Sequence, residues 1–373
     1  MNKNNNLKTS LKDILEKKDR ILSFLDNKKL DAAVIGKPDN FAWFTCGGNN
    51  QVVKAWDTGF SYLIISREKN ILVSQIMDGP RVIDEELKGL EIEYMPLKWT
   101  GITREEQVAK LIRGRKVISD TPVDGAIYST RELYSLHYPF TELETRRVRW
   151  LAEKTEEILR ATADAIIPGI TEIETAGMLL GEFGKLGIEC EVLLIGSDER
   201  IGKYRHPVPA DKKIKNFVLL HPATKKWGLH VPMTRMLSFG IQPAETVKKY
   251  EAACKIASAA ISMCKEGEKI TNILDEQMKL YKELGYEEEW GNHFHGGITG
   301  YQLVELVTYS NKDAMVILNQ PHDWFITLTG VKVEEICLTT EKGIEVITVR
   351  GNWPVREHEY RGFVCKMPEI LYR

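Results

Sequence analysis

The sequence predicts an α/β N-terminal domain followed by an α+β domain with an internal pseudo-twofold repeat, and three observations carry that prediction. Short apolar runs alternate with amphipathic stretches through roughly the first 135 residues, the pattern of a single α/β unit. Between Thr141 and Arg149 the chain turns charged and enters a long amphipathic helix, which sets the expected domains at 1–142 and 143–373. Beyond that helix, one arrangement of elements occurs twice. A length of 373 residues with 43% hydrophobic content is enough for two packed cores.

In the N-terminal part, Ser10-Leu11-Lys12-Asp13 is a capping-box-like start, and Leu11, Ile14, Leu15, Ile21, Leu22 and Leu25 follow at helical spacing. The helix is expected to run to about Asp26. Ala32 to Ile35 is an apolar run that ends in Gly36-Lys37-Pro38, a buried strand entering a turn. Strands are expected at Tyr62 to Ile65, Ile71 to Ser74 and Glu91 to Met95, with an acidic helix near Val82 to Lys88. Helix Glu105 to Ile112 and strand Lys116 to Ser119 complete the unit.

The repeat is explicit in the second part. Helix Thr155 to Ala165 leads into Ile167-Pro168-Gly169-Ile170-Thr171 and a helix ending at Leu186-Gly187. Later, helix Tyr250 to Cys264 leads into Lys265-Glu266-Gly267-Glu268-Lys269-Ile270-Thr271 and a helix ending at Leu284-Gly285. Each half is helix, glycine turn, helix, then strands. Two such halves about a pseudo-twofold axis set their sheets side by side with a cleft between them.

Composition narrows the function. Fifty-one basic against fifty-three acidic residues give a formal charge of −2, so no net field favours nucleic acid or an anionic membrane. The Asn- and Lys-rich start has no apolar signal-peptide core, and no later run reaches membrane-spanning length, which points to the cytoplasm. A small-molecule substrate is the expected partner. Cys46, Cys190, Cys254, Cys264, Cys337 and Cys365 lack C-x-x-C spacing and read as buried free thiols. Trp227, Trp290, Trp324 and Trp353 read as core, and His137, His322 and His358 as surface or loop histidines.

The most site-like stretch is Asn292-His293-Phe294-His295-Gly296-Gly297-Ile298-Thr299-Gly300-Tyr301. Histidines at i and i+2 share a face of extended chain, and the glycines allow close approach to the backbone. Downstream, Glu334 and Glu335 stand in the apolar run Val333 to Leu338, where a carboxylate needs a partner. Upstream, the apolar strand candidate Phe217 to Leu220 ends on His221.

With the repeat, the glycine turns and the His-Gly stretch together, the chain resembles the creatinase, prolidase and aminopeptidase P superfamily, the pita-bread fold. Asp39-Asn40-Phe41-Ala42-Trp43-Phe44-Thr45 is similar to a strand of creatinase-type N-terminal domains. The resemblance implies a creatinase-like N-terminal domain, a pita-bread C-terminal domain and a homodimer. It also implies two metal ions held by Asp, Asp, His, Glu and Glu. Matched through Thr234-Arg235, those positions fall on His221, Pro232, His295, the neighbourhood of Phe325, and Glu334. Proline has no ligand atom on its side chain, and losing a bridging carboxylate removes what holds two cations together, so no dinuclear site is expected.

Creatinase cleaves a C–N bond without metal, using a histidine base, and here Arg205-His206-Pro207 occupies the corresponding place. The leading expectation is therefore a metal-independent, creatinase-like hydrolase of a small nitrogenous substrate. His206, His295 and Glu334 are its catalytic candidates, and His221, His293, Tyr301, Glu305, Arg235 and Glu335 its substrate-binding candidates. No metal cofactor is expected. Three alternatives stay open: a single divalent metal on His221, His295 and Glu334; a non-catalytic binding module; and a true Xaa-Pro peptidase in which Asp211 or Asp323 supplies a missing carboxylate. Asp211 reads as part of a charged loop and Asp323 as part of a Pro-bounded turn.

Overall fold

The computed structural model describes residues 7–87, 89–307 and 313–373. The chain divides into two compact units, Met1–Arg146 with Trp227–Leu229, and Arg147–Lys226 with His230–Arg373. Among the described residues, no helix is long and apolar enough to cross a membrane.

The first unit holds strands β1 (Ala32–Ile35), β2 (Ser61–Ser66), β3 (Asn70–Gln75), β4 (Glu93–Leu97), β5 (Val117–Ser119) and β6 (Ala126–Tyr128). They form one sheet in the order β4-β3-β2-β1-β5-β6. β1 is apolar at every position and buried throughout, because it pairs on both sides, antiparallel with β2 and parallel with β5. Helix Leu11–Lys28 starts at Ser10 with a capping box closed by Asp13, and Arg104–Leu111 starts at Thr103 with one closed by Glu106.

Three sequence expectations change here. Asp39 to Thr45 is no strand: Pro38–Phe44 is a helix in which Asn40, Phe41, Ala42, Trp43 and Phe44 are all buried. Pro38 sits in the first turn, where its fixed φ suits the helix and its missing N–H has no intrahelical partner to lose. A run buried all round carries no period that tells helix from strand. The acidic helix near Val82 is a short helix, Gly79–Arg81, that runs into a π-helical turn, Val82–Glu86; Lys88 lies outside the described residues. His137 is fully buried, not a surface residue, with Nε2 2.9 Å from Asn40 Oδ1, while Asn40 Nδ2 donates to Asp120 at 2.9 Å.

Helix Glu142–Ala165 carries the chain into the second unit. The repeat is present in detail. Gly169 and Gly267 adopt φ of 103° and 82°, and their N–H groups donate to Ile214 O at 2.8 Å and Val316 O at 2.9 Å. Helices Glu172–Lys185 and Ile270–Glu283 then end before Gly187 and Gly285, both with positive φ.

The first half contributes β7 (Glu189–Ser197), β8 (Phe217–Lys226), β9 (Leu229–Pro232) and β10 (Arg235–Ser238). The second contributes β11 (Gly296–Ile298), β12 (Leu306–Val307), β13 (Pro321–Leu328), β14 (Val331–Thr340) and β15 (Gly343–Val346), followed by the hairpin β16 (Val355–Tyr360) and β17 (Phe363–Pro368) and the last strand β18 (Leu371–Tyr372). One sheet runs β18-β10-β8-β7 with β9 on β8, and the other runs β12-β11-β13-β14-β15. Helix Ala244–Ser262 packs on β13 and β14 through a core that includes Trp324, Ile326, Val333 and Cys337. The two sheets meet where Thr234 N–H donates to Glu334 O at 3.3 Å.

Candidate active site

β13 and β14 pair with Phe325 opposite Glu334 and Asp323 opposite Ile336, so Asp323, Phe325, Lys332 and Glu334 share one face. The adjoining sheet brings His221 and Thr234 to the same carboxylate. Glu334 Oε2 lies 2.9 Å from His221 Nδ1, 2.8 Å from Lys332 Nζ and 3.1 Å from Thr234 Oγ1. Three donors therefore converge on one oxygen. His221, Lys332, Glu334 and Asp323 are all buried.

Burial opposes ionisation of Glu334, but His221 and Lys332 outweigh it and hold the carboxyl below its ordinary range. Asp323 goes the other way. Its burial and the neighbouring Glu334 charge push it well above its ordinary range, so it stays protonated and hydrogen-bonds to Glu334. Burial likewise lowers His221, with Glu334 pulling against it, which leaves a neutral imidazole whose Nδ1–H faces the carboxylate. The cluster is thus close to neutral, with one buried ammonium balancing one buried carboxylate.

A histidine pair borders this cluster. His293 Nδ1 lies 2.6 Å from Phe294 O, a bond only an N–H can make, so in the neutral ring Nε2 carries the lone pair. That lone pair faces His206 Nε2 at 2.9 Å, so His206 donates and its own Nδ1 becomes the basic nitrogen. Burial lowers His206, helped by Lys332 and opposed by Glu334, and brings His293 down to about 4. The loop carrying His206 is tied by Arg205, which pairs with Glu289 and donates to Thr329 Oγ1 at 3.0 Å. Phe325 packs edge-on against His293 at 5.2 Å, and Lys332 Nζ lies 5.7 Å from the same ring.

The other candidates lie elsewhere. His295 is not brought to Glu334: its Nε2 contacts Trp290 O at 2.8 Å, and its ring stacks on Trp290 at 3.7 Å. Burial holds it at about 4. Arg235 and Glu335, expected to bind substrate, point to the opposite face and hold each other at 2.6 Å, with Glu156 3.0 Å from the same guanidinium. Arg235 also donates to the Thr234 and Thr348 carbonyls, so both terminal nitrogens of its fork are engaged. Glu305 accepts from the backbone N–H of Tyr301 and Gln302 at 2.7 and 3.2 Å, closing a turn, and Tyr301 is buried. Asp211 is in an exposed loop, as read from sequence, whereas Asp323 is in a buried strand rather than a turn. A cleft of about 310 Å³ bounded by Tyr250, Cys254, Arg356, His358 and Tyr372 is lined by none of the catalytic candidates.

The profile of metallopeptidase family M24 matches residues 146–341, just over half of the 373. The chain belongs to metallopeptidase family M24. An uncharacterised peptidase of Staphylococcus aureus (strain MW2) is 23% identical over 349 residues, spanning 88% of this chain and 97% of that protein. The structure is similar to a Xaa-Pro dipeptidase from Bacillus anthracis, with TM-score 0.75 and 18% identity over 96% of this chain and 100% of that one. It is also similar to a prolidase from Thermococcus sibiricus, with TM-score 0.77 and 16% identity over 98% of this chain and 100% of that one. The fold is that of the two-domain pita-bread proteins.

The donor set of this M24 member does not fit the family's pair of metal ions. Pro232 offers no side-chain donor, Phe325 stands across from Glu334, and His295 is turned to Trp290. The Lys332 ammonium already contacts Glu334 Oε2, and a divalent cation on that oxygen would meet like charge. The single-metal alternative loses His295 for the same reason. Sequence reasoning missed Lys332 and Thr234 as members of the cluster, and it named Asp323 as a possible carboxylate but placed it in a turn. The available signal was Lys332 and Glu334 at i and i+2 in an apolar strand, which places both on one face.

Proposed function

We propose that this chain is a metal-independent hydrolase that cleaves a C–N bond of a small amino-acid-derived substrate, with His206 as general base. The observation that carries the reading is the Lys332 ammonium 2.8 Å from Glu334 Oε2, a cation built into the protein beside a position where the family holds metal. His206 takes a proton from water through Nδ1 while His293 holds its tautomer. The hydroxyl adds to the substrate carbon, the C–N bond breaks, and the proton returns from His206 to the leaving nitrogen. Depressed below its ordinary value, His206 is neutral at pH 7 and able to act as the base. A homodimer and a small-molecule substrate belong to the same proposal.

The test is hydrolysis of Xaa-Pro dipeptides and of N-amidino amino acids by chelator-treated full-length protein, with and without added Mn²⁺. Turnover that survives chelation and falls on the order of 100-fold or more in His206→Ala supports the proposal. Turnover that appears only with Mn²⁺ sinks it in favour of an Xaa-Pro-type metallopeptidase, the reading that family membership favours. Binding without turnover leaves a recognition module.

A further inference from the structure

Behind the β13–β14 pair, on the face turned away from Glu334, lies a second group of chemistry-bearing side chains. His322 of β13 stands directly opposite Cys337 of β14, and Cys264 follows helix Ala244–Ser262. One ligand atom from each of Cys264, His322 and Cys337 lies within 4.8 Å of the other two, and all three residues are buried. An ion binding thiolates at roughly 2.3 Å separates its ligand sulfurs by roughly 3.7–4.0 Å, so the group needs little movement to close. We propose that Cys264, Cys337 and His322 form a binding site for a thiolate-preferring d¹⁰ metal ion, Zn(II) or Cu(I).

Two observations besides the clustering point to a ligand. His322 is fully buried, and neither ring nitrogen makes a hydrogen bond of normal geometry, although the Gln320 backbone lies nearby. A buried imidazole left so is unfavourable, and a metal ion is a partner that takes a neutral imidazole nitrogen. In addition, Trp324 Nε1–H donates to Cys264 Sγ at 3.0 Å, a contact that orients the sulfur. His322 is held parallel to Trp324, with 6.3 Å between ring centroids, and Thr339 Oγ1 donates to Cys264 O at 2.6 Å. The ring and one sulfur are therefore oriented before any ion arrives.

Charge also suits the place. Zn(II) with two thiolates, or Cu(I) with one thiolate and one thiol, adds no net charge to an apolar core. The thiols release one or two protons on binding and no electrons move. Loading of so closed a site belongs to folding, and the ion would pin the end of helix Ala244–Ser262 to the strands that carry Asp323 and Glu334. The site is independent of the hydrolase reading, since it uses the other face of the strands.

The experiment is elemental analysis of untagged full-length protein expressed in medium supplemented with Zn(II) or, in a separate arm, with copper. About one ion per chain is expected in the wild type and in Cys254→Ala, falling below about a tenth in Cys337→Ala and His322→Ala. Should those variants fail to fold, unfolding the wild type and refolding it with Co(II) gives a second readout: a thiolate-to-cobalt charge-transfer band in the near ultraviolet. A metal-free wild type in both arms, a refolded protein without that band, or a Cys264–Cys337 disulfide found by mass spectrometry would each overturn the site.

Discussion

Glu334 and Glu335 are neighbours on one buried strand, yet their acidities move in opposite directions. Glu334 faces the cleft, where three donors meet one oxygen, and its carboxyl is held below the ordinary range despite burial. Glu335 faces the helix-covered side, where burial raises it to about 7 against the pull of Arg235. The difference is in how the cations are shared. Lys332 pairs with Glu334 while the nearby Asp323 stays protonated, whereas Arg235 is divided between Glu335 and Glu156. A buried carboxylate is thus set less by its depth than by how many anions divide its cation.

The largest test of that comparison is Arg235→Met. It leaves Glu156 and Glu335 buried with no cation between them, and both carboxylates lose a guanidinium hydrogen bond. Stability should fall by about 3–5 kcal/mol in urea denaturation, the loss expected on removing one side of a buried ion pair. A loss under about 1 kcal/mol would mean that the network is not what holds this face together.

On the cleft side the corresponding change is Lys332→Met. Glu334 keeps His221 and Thr234, so the expected loss is smaller, roughly 2–3 kcal/mol. The double variant Lys332→Met with Glu334→Leu removes both charges together and should recover much of that loss, because a buried pair replaced whole by apolar groups is often neutral. Losses that simply add would show that Lys332 and Glu334 are not coupled.

Much of the fold was legible because it rests on local signals: the capping residue Ser10, and the glycines Gly169, Gly187, Gly267 and Gly285 that close each half of the repeat. What was not legible depends on surroundings. Pro38–Phe44 is apolar on all sides, so its period is silent and only packing makes it a helix. Asp323 follows Pro321 and His322, which reads as a turn, but β14 pairs with the whole segment and turns it into a strand. The contact of His221 and Thr234 with Glu334 joins residues a hundred or more positions apart, and the sequence pointed to His221 and Glu334 singly but not to Thr234. Arg235 and Glu335 carry the residue types of a substrate clamp, but strand alternation turns both away from the cleft.

The smallest expected effect concerns proton linkage at Glu335. Its folded pKa of about 7 exceeds the ordinary 4.5, so between those values the native chain holds more protons than the unfolded one. Stability through this group therefore falls as pH rises from about 4.5 to 7 and is level above. His293 and His295 act oppositely: each is lowered by burial from 6.5 to about 4, so their contribution rises with pH across that interval. The total pH profile of the wild type hides the Glu335 part beneath the histidines. Replacing Glu335 by Gln removes the former and keeps the latter. The wild-type stability minus that of Glu335→Gln, taken from urea midpoints, should decline steadily between pH 4.5 and 7. A flat difference would mean that Arg235 keeps Glu335 ionised as fully as Lys332 keeps Glu334, and the contrast between the two faces would fail.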